Sequence, residues 1–346
     1  LKQDIQHEAK ILDNNEIIID GQLVGKINGL KISLDYTATA LQTDIKSIKK
    51  AARNGVATEL KRRIEEIINS PENFSLKKDK NIYWQDQVVG KINPGKNYLN
   101  PDVKIVADES IEPQDQQRIA VSLLNWLKQE KKNLLQDLIK IENSNTENRF
   151  IRGLCYQLFE NNGVLKRESV DSIVKQINKE DRVSLRKLGI KIGRYHIYQP
   201  RMVKPAAVTF KTILWNCFYN LSENECPAFG LNFVKNFSNK NKEYLLICGF
   251  ETFDNYIVRI DMLERLFLKI ISLGKSGAFE LTSDMLNLLG STKEDFKELM
   301  KKMNYKCIDN KEKTLFKYMP KKYFSKSIAT KVSNNPFGEL KKIKTL

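Results

Sequence analysis

Residues 16–28 read EIIIDGQLVGKIN and residues 81–93 read NIYWQDQVVGKIN, a near-repeat that limits what the first part of the chain can become. In each copy two β-rich runs flank a polar pair, Asp20-Gly21 or Gln85-Asp86, as a tight hairpin requires. Gly25 and Gly90 lie inside the second run of each copy, where a missing side chain marks a bend or bulge. Neither opens a GxGxxG turn leading into a helix. Two copies are too few for a solenoid, so a β-hairpin module flanked by helices is expected over residues 1–142. Between the copies, Thr43 to Asn69 reads as a helix with Ile48, Val56, Leu60, Ile64, Ile67 and Ile68 in helical period. A short strand, Val103 to Val106, follows the second copy. A long helix then runs from Pro113 to about Ile141, with Ile119, Leu123, Trp126 and Leu127 on one face.

The polar stretch Asn143 to Asn148 separates this module from a helical domain over 149–245. Helices are expected from Arg149 to Asn161, ended by Asn162-Gly163, from Glu168 to Ile177, and from Lys179 to Lys187. A hairpin, IKIGRYHIY, turns at Gly193, and Pro205 opens another helix. Over 246–326 the order is helix (Ile260, Leu263, Phe267 and Ile270 on one face), strand (278–282) and helix (Ser283 to Leu289, stopped by Gly290). A third helix then opens at the capping-box sequence Ser291-Thr292-Lys293-Glu294, and YKCI and TLFKYM form two strands joined at Asp309-Asn310-Lys311. That order is the order of a winged helix. A basic tail fills 327–346. The fold class expected is mainly α with small β-hairpins (α+β), ending in a winged-helix-like module.

With 41% hydrophobic residues among 346, the chain can build packed cores. No apolar run reaches the roughly 18 residues of a membrane span. Five cysteines (Cys155, Cys217, Cys226, Cys248 and Cys307) are odd in number and never form CxxC, which fits a reducing cytoplasm better than a disulfide framework or a thiolate zinc site. Two histidines, His7 and His196, give little support to an imidazole-rich metal site or a histidine-based triad. The first residue is Leu1 rather than Met, which raises the expectation of a fragment from a longer protein.

Charge is the strongest functional signal. The net +16 divides as +1 over residues 1–150, +8 over 151–250, −3 over 251–300 and +10 over 301–346. Positive charge segregated in this way is the footprint of a polyanion partner. On the third helix of the winged-helix-like module, Lys293, Lys297 and Lys301 form a stripe at four-residue spacing beside the apolar face of Phe296, Leu299, Met300 and Met303. Lys306, Lys311, Lys313 and Lys317 lie on the two strands and their turn, with Lys321, Lys322 and Lys326 beyond. A row of ammonium groups neutralises several backbone phosphates at once. A second cluster, Arg182, Arg186, Lys187, Lys191, Arg194, Arg201 and Lys204, surrounds the hairpin near Gly193, where guanidinium planes can grip phosphate or stack on bases.

Two fragments imitate nucleotide-site motifs. Gly274-Lys275-Ser276 ends like a P-loop, but Lys269 stands where the first glycine belongs, and a helix, not a strand, precedes it. VKIVADES (103–110) ends in Asp108-Glu109 like a magnesium-binding pair, yet no P-loop lies upstream. His196 alternates along a strand with Tyr195 and Tyr198, in a structural or RNA-stacking position. No catalytic residue and no metal ligand is identified.

The phrases FSLKKDKNIYWQDQVVGKI (74–92), RGLCYQLFENNGVLKR (152–167), LRKLGIKIGRYHIYQPRMVKPAA (185–207), VRIDMLERL (258–266) and NPFGEL (335–340), in this order, resemble the C-terminal region of bacterial superfamily 2 helicases related to the mitochondrial degradosome RNA helicase. The resemblance implies a non-catalytic accessory region of an ATP-dependent helicase. ATP and Mg²⁺ would be bound by RecA-like motor domains preceding this region, and RNA, or possibly DNA, would be the strand handled. From the residues themselves, the leading expectation is a nucleic-acid-binding region that positions a strand for the motor. The alternatives are a protein-interaction scaffold docking a nuclease or ribosomal partner, and a winged-helix DNA-binding regulator.

Overall fold

The computed structural model describes residues 9–35, 45–144, 146–222, 225–239, 241–274, 277–309 and 313–319. They divide into two compact units, one of residues up to 268 with 288–290, the other of residues 269–287 and from 291 onward. Among the described residues about 48% are helical and 26% lie in strands. The strands form five antiparallel sheets. The expectation of helices combined with small antiparallel β-hairpins holds in this coarser form, a mixed α/β fold with more strand than a mainly α one.

In the larger unit, β1 (Ala9–Ile11), β2 (Glu16–Ile19), β3 (Gln22–Asn28) and β4 (Lys31–Leu34) form a meander. The helix α1 (Ile45–Asn69) leads to a second meander of β5 (Phe74–Leu76), β6 (Asn81–Trp84), β7 (Gln87–Asn97) and β8 (Asn100–Ile105). These are the two copies of the near-repeat, and they match in detail. Asp20 and Gly21 have φ of 50° and 80°, and Gln85 and Asp86 have 47° and 62°, as a two-residue hairpin turn with both central residues left-handed demands. Ile17 pairs with Gly25 but Ile18 with Leu23, leaving Val24 as an extra residue. Ile82 pairs with Gly90 but Tyr83 with Val88, leaving Val89 extra in the same place. The two glycines flank these bulges, and a Cβ on Gly25 would collide with the backbone oxygen of Ser33.

A buried arginine of α1 ties the two copies together. Arg63 donates to Gly29 O at 3.0 Å, to Gln87 Oε1 at 3.1 Å and to Glu59 Oε1 at 2.8 Å, and also to Asn15 Oδ1. Gly29 N donates to the same Gln87 oxygen at 2.6 Å. Gly29 has φ +61°, and a Cβ there would sit 2.6 Å from Val88 O.

The expected long helix after the second copy is two helices, α2 (Pro113–Leu134) and α3 (Gln136–Glu142), parted at Leu135, whose φ/ψ of −110°/30° is not helical. Ile119, Leu123 and Leu127 are buried, while Trp126 is only half-buried and packs edge-on against Phe74. Next come α4 (Arg149–Glu160), β9 (Val164–Lys166), α5 (Asp171–Lys175), α6 (Lys179–Lys187), β10 (Lys191–Ile192) and β11 (His196–Tyr198). Asn148 caps α4, and Asn178 forms a capping box with Asp181 on α6. The stretch from Glu168 is a 3-10 turn before the short α5, not one continuous helix. After α7 (Pro205–Phe218), β12 (Phe233–Lys235), α8 (Lys242–Ile247), β13 (Phe250–Phe253) and β14 (Tyr256–Arg259) build a sheet in the order β12-β14-β13. The helix α9 (Ile260–Leu273) begins in this unit. One hydrophobic core runs from Ile17 to Cys217.

The smaller unit contains β15 (Ala278–Glu280), most of α10 (Ser283–Leu289), α11 (Lys293–Lys302), β16 (Tyr305–Asp309) and β17 (Thr314–Tyr318), with sheet order β15-β17-β16. Its core is aromatic: Phe316 stacks on Phe279 at 5.4 Å and meets Phe296 of α11 edge-on at 5.6 Å. Thr292, not Ser291, caps α11, because its side chain accepts from Asp295 N at 3.2 Å. The expected turn at Asn310-Lys311 and the basic tail lie outside the described residues.

Candidate nucleic-acid interface

The hairpin of β10 and β11 is held by a buried charge network. Glu264 of α9 accepts the backbone N–H groups of Arg194, Tyr195 and His196 at 2.6, 2.9 and 2.7 Å. His196 Nδ1 lies 3.3 Å from the same carboxylate, and its Nε2 lies 2.7 Å from Glu251 Oε2. Lys166 Nζ completes the network with Glu251 Oε1 at 2.7 Å, and Arg167 donates to Gly193 O at 2.9 Å. Burial opposes charging of the His196 ring, but its bonds to Glu251 and Glu264 outweigh this, and its pKa lies above the ordinary histidine value. Burial likewise opposes charge on both carboxylates, and the hydrogen bonds they receive hold their pKa values below the ordinary glutamate value. His196 is therefore structural and too buried to stack on a base. Its job is to present the basic hairpin on a rigid base.

Two cavities adjoin this hairpin and share Lys191 and Pro200. One of about 520 Å³ is lined by Arg182, Arg186 and Lys191, the other, of about 320 Å³, by Lys191, Lys204, Arg259 and Arg265. Arg259 is neutralised by Asp261 at 2.7 and 2.8 Å. Arg182, Arg186, Lys191, Lys204 and Arg265 make no ion pair with any described residue. Of the expected cluster, Lys187, Arg194 and Arg201 line neither cavity. Arg194 is exposed, and Arg201 donates to Gln136 Oε1 at 2.8 Å and lies 3.8 Å from Asp137.

In the smaller unit the expected lysines do not share one surface. Lys293 and Lys301 are exposed on α11, but Lys297 is engaged by Asp309 at 2.6 Å. Phe316 of β17 faces α11, so by strand alternation its neighbour Lys317 points to the opposite side of the sheet. Lys306 pairs directly with Lys317 across the ladder and stands on that outer side too. Lys313 is bonded to Glu280 at 3.1 Å. The helix stripe and the strand lysines therefore occupy two opposite faces. Like charges directly opposite on neighbouring strands are destabilising without a counter-ion, and Lys306 with Lys317 forms such a pair. Lys311, Lys321, Lys322 and Lys326 lie outside the described residues.

Asp108 and Glu109, the apparent magnesium pair, both face Arg53, at 3.1 and 3.4 Å. Gly274 follows α9, and Lys275 and Ser276 lie outside the described residues. Among the described residues no group of three or more His, Cys, Asp or Glu could hold a metal ion, and no helix is long and apolar enough to cross a membrane. Sequence reasoning missed Glu264 and Glu251. Glu264 did leave a signal: it follows Ile260 by four residues and precedes Phe267 by three, a charged residue on the apolar face of an amphipathic helix. Comparison of the chain with protein-family models, with curated proteins and with solved structures returned no match.

Proposed function

We propose that this chain is a nucleic-acid-binding accessory region of an ATP-dependent helicase, which grips a single strand by its phosphates and positions it for a motor outside this chain. The observation that carries the reading is the run of unneutralised cations, Arg182, Arg186, Lys191, Lys204 and Arg265, around two adjoining cavities beside a rigidly held hairpin. Five such groups on one surface repel one another, and a polyanion relieves that repulsion. Contacts to phosphate position a strand without reading its sequence, which suits a region that feeds a motor. The motor itself, with its ATP and Mg²⁺, is carried by the family resemblance. The succession α9, β15, α10, α11, β16, β17 fits a winged helix, a second platform in which the α11 stripe and the outer sheet face would make separate contacts.

The test is a binding titration of the chain with a single-stranded oligonucleotide across salt concentrations. Affinity should fall with a slope of roughly −0.7 per phosphate contact, since each contact releases condensed counter-ions. Replacing Arg186 and Lys191 by Ala should flatten that slope. Salt-independent binding, or none, would sink the reading.

A second reading, docking of a protein segment, is favoured by one feature. A groove of about 1350 Å³ runs along the open edge of β5, with Phe74, Leu76 and Trp126 on its walls. An exposed strand edge beside an apolar groove is the geometry of strand addition by an extended peptide.

A further inference from the structure

We propose that the cavity of about 320 Å³ holds one unstacked nucleotide of the bound strand, with its base against Phe229 and its phosphate among Lys191, Lys204 and Arg265. The proposal rests on the nucleic-acid reading above and deepens it.

The cavity has two chemistries in one space. Its buried lining is mostly apolar, with Val208, Phe250, Tyr198 and Cys248, and Lys191, Lys204, Arg259 and Arg265 add cationic groups. Val208 and Phe250 are buried core residues, so this lining is fixed before any ligand arrives. At the rim Phe229 is 55% exposed and Leu231 46% exposed, with Gly230 between them at φ +95°. A phenyl ring so exposed adds little to folding, since burial is what makes such a side chain stabilising. Next to three unneutralised cations, however, it offers a stacking surface to a base whose phosphate those cations hold. Stacking is indifferent to base identity, because every base has a π-face. The volume is at the lower end of the range for ligand sites, which suits one nucleotide and not a stacked pair.

The local electrostatics agree. Lys204 occupies the N-cap position of α7, no side chain caps that end, and its first turn holds no acidic residue. A cation at the positive end of a helix dipole is unfavourable, and a bound anion reverses the sign of that interaction. In the same wall Asp261 neutralises Arg259 alone, which leaves Lys191, Lys204 and Arg265 for the ligand.

The test compares a fluorescent oligouridylate with an abasic phosphodiester strand of equal length, for the whole chain and for Phe229→Ala and Phe229→Trp. The parent should prefer the base-bearing strand by roughly 5- to 150-fold, the range that one stacked base supplies. Phe229→Ala should abolish the preference without changing abasic binding, and Phe229→Trp should retain it. Equal binding of the two strands by the parent, or a preference that survives in Phe229→Ala, overturns the pocket while leaving phosphate binding intact. If neither strand binds the parent, the underlying nucleic-acid reading fails instead. Uridine monophosphate is the third probe: saturable binding tighter than that of the strand, and lost in Phe229→Ala, would make this a free-nucleotide site and overturn its assignment to a strand.

Discussion

One carboxylate oxygen of Glu264 accepts the backbone N–H of His196 at 2.7 Å and lies 3.3 Å from Nδ1 of the same residue. Backbone and side chain of one strand residue are thus gripped by one helix residue, while the other oxygen takes the N–H of Arg194. Removing the carboxylate leaves three N–H groups without an acceptor and leaves the His196 ring with Glu251 alone. Breaking a buried ion pair from one side costs about 3–5 kcal/mol. Glu264→Ala should lower the unfolding free energy by about that much, measured by urea denaturation near neutral pH. A loss below about 1 kcal/mol, the range of an exposed ion pair, would show that the network is not a clamp.

The same cluster sets a pH dependence. The folded pKa of His196 is raised above 6.5, so its contribution is complete below that value and is lost as pH rises through the folded value. Glu251 and Glu264 have folded values below 4.5, so theirs is complete above 4.5 and is lost as pH falls through the folded values. The stability difference between the parent and His196→Gln should therefore be largest between pH 4.5 and 6.5 and shrink above it. Urea midpoints of both proteins over a pH series measure this, and a difference independent of pH would contradict the charge assignment.

Lys211 works in the opposite sense. Its amine is fully buried in α7, 3.2 Å from Asn162 O, and burial lowers its pKa from 10.5 to about 8. Below pH 8 the fold carries a buried cation, and as pH rises from 8 to 10.5 the unfolded chain binds more protons than the folded one. Lys211→Met should be more stable than the parent at pH 7, by on the order of 2 kcal/mol after the lost hydrogen bond is counted. The gain should dwindle towards pH 10.5. A variant less stable than the parent at pH 7 would mean that the bond to Asn162 O outweighs desolvation.

In the smaller unit the two lysine faces should separate in a binding assay. Lys293→Glu with Lys301→Glu changes only α11, and Lys306→Glu with Lys317→Glu changes only the outer face of the sheet. Neither pair touches Phe296, Phe316 or Phe279, so circular dichroism should be unchanged, each surface change altering stability by about 0.5 kcal/mol or less. Single-strand affinity at fixed salt should fall in both double variants if both faces contact the strand. If only one falls, that face alone is the platform. If neither does, this unit takes no part in binding.

Local signals were readable where the chemistry is local. The turns at Asp20-Gly21 and Asn162-Gly163 and the period of Val56, Leu60 and Ile64 each depend on a few neighbouring residues, and all appear in the structure. The break at Leu135 was hidden because Leu is a strong helix former and no Gly or Pro marks the site. The strand β12 was missed because Phe233–Lys235 pairs with a strand some twenty residues away, across α8, whereas the local hairpin of β13 and β14, turning at Asp254-Asn255, was readable and overlooked. Side-chain direction was the costliest omission. Spacing put Lys306 and Lys317 near the α11 lysines, and only the buried position of Phe316 reveals that they point the other way.

Arg63 has one more implication, for anyone dividing this protein into pieces. The near-repeat invites the view that each meander is a cassette, to be expressed or exchanged by itself. A cut between them would strip Arg63 of Asn15 and Gly29 on one side, or of Gln87 on the other. Either fragment would inherit a buried guanidinium that keeps Glu59 but lacks its other acceptors, or an orphaned carbonyl. No separable piece can therefore be smaller than the pair of meanders together with α1.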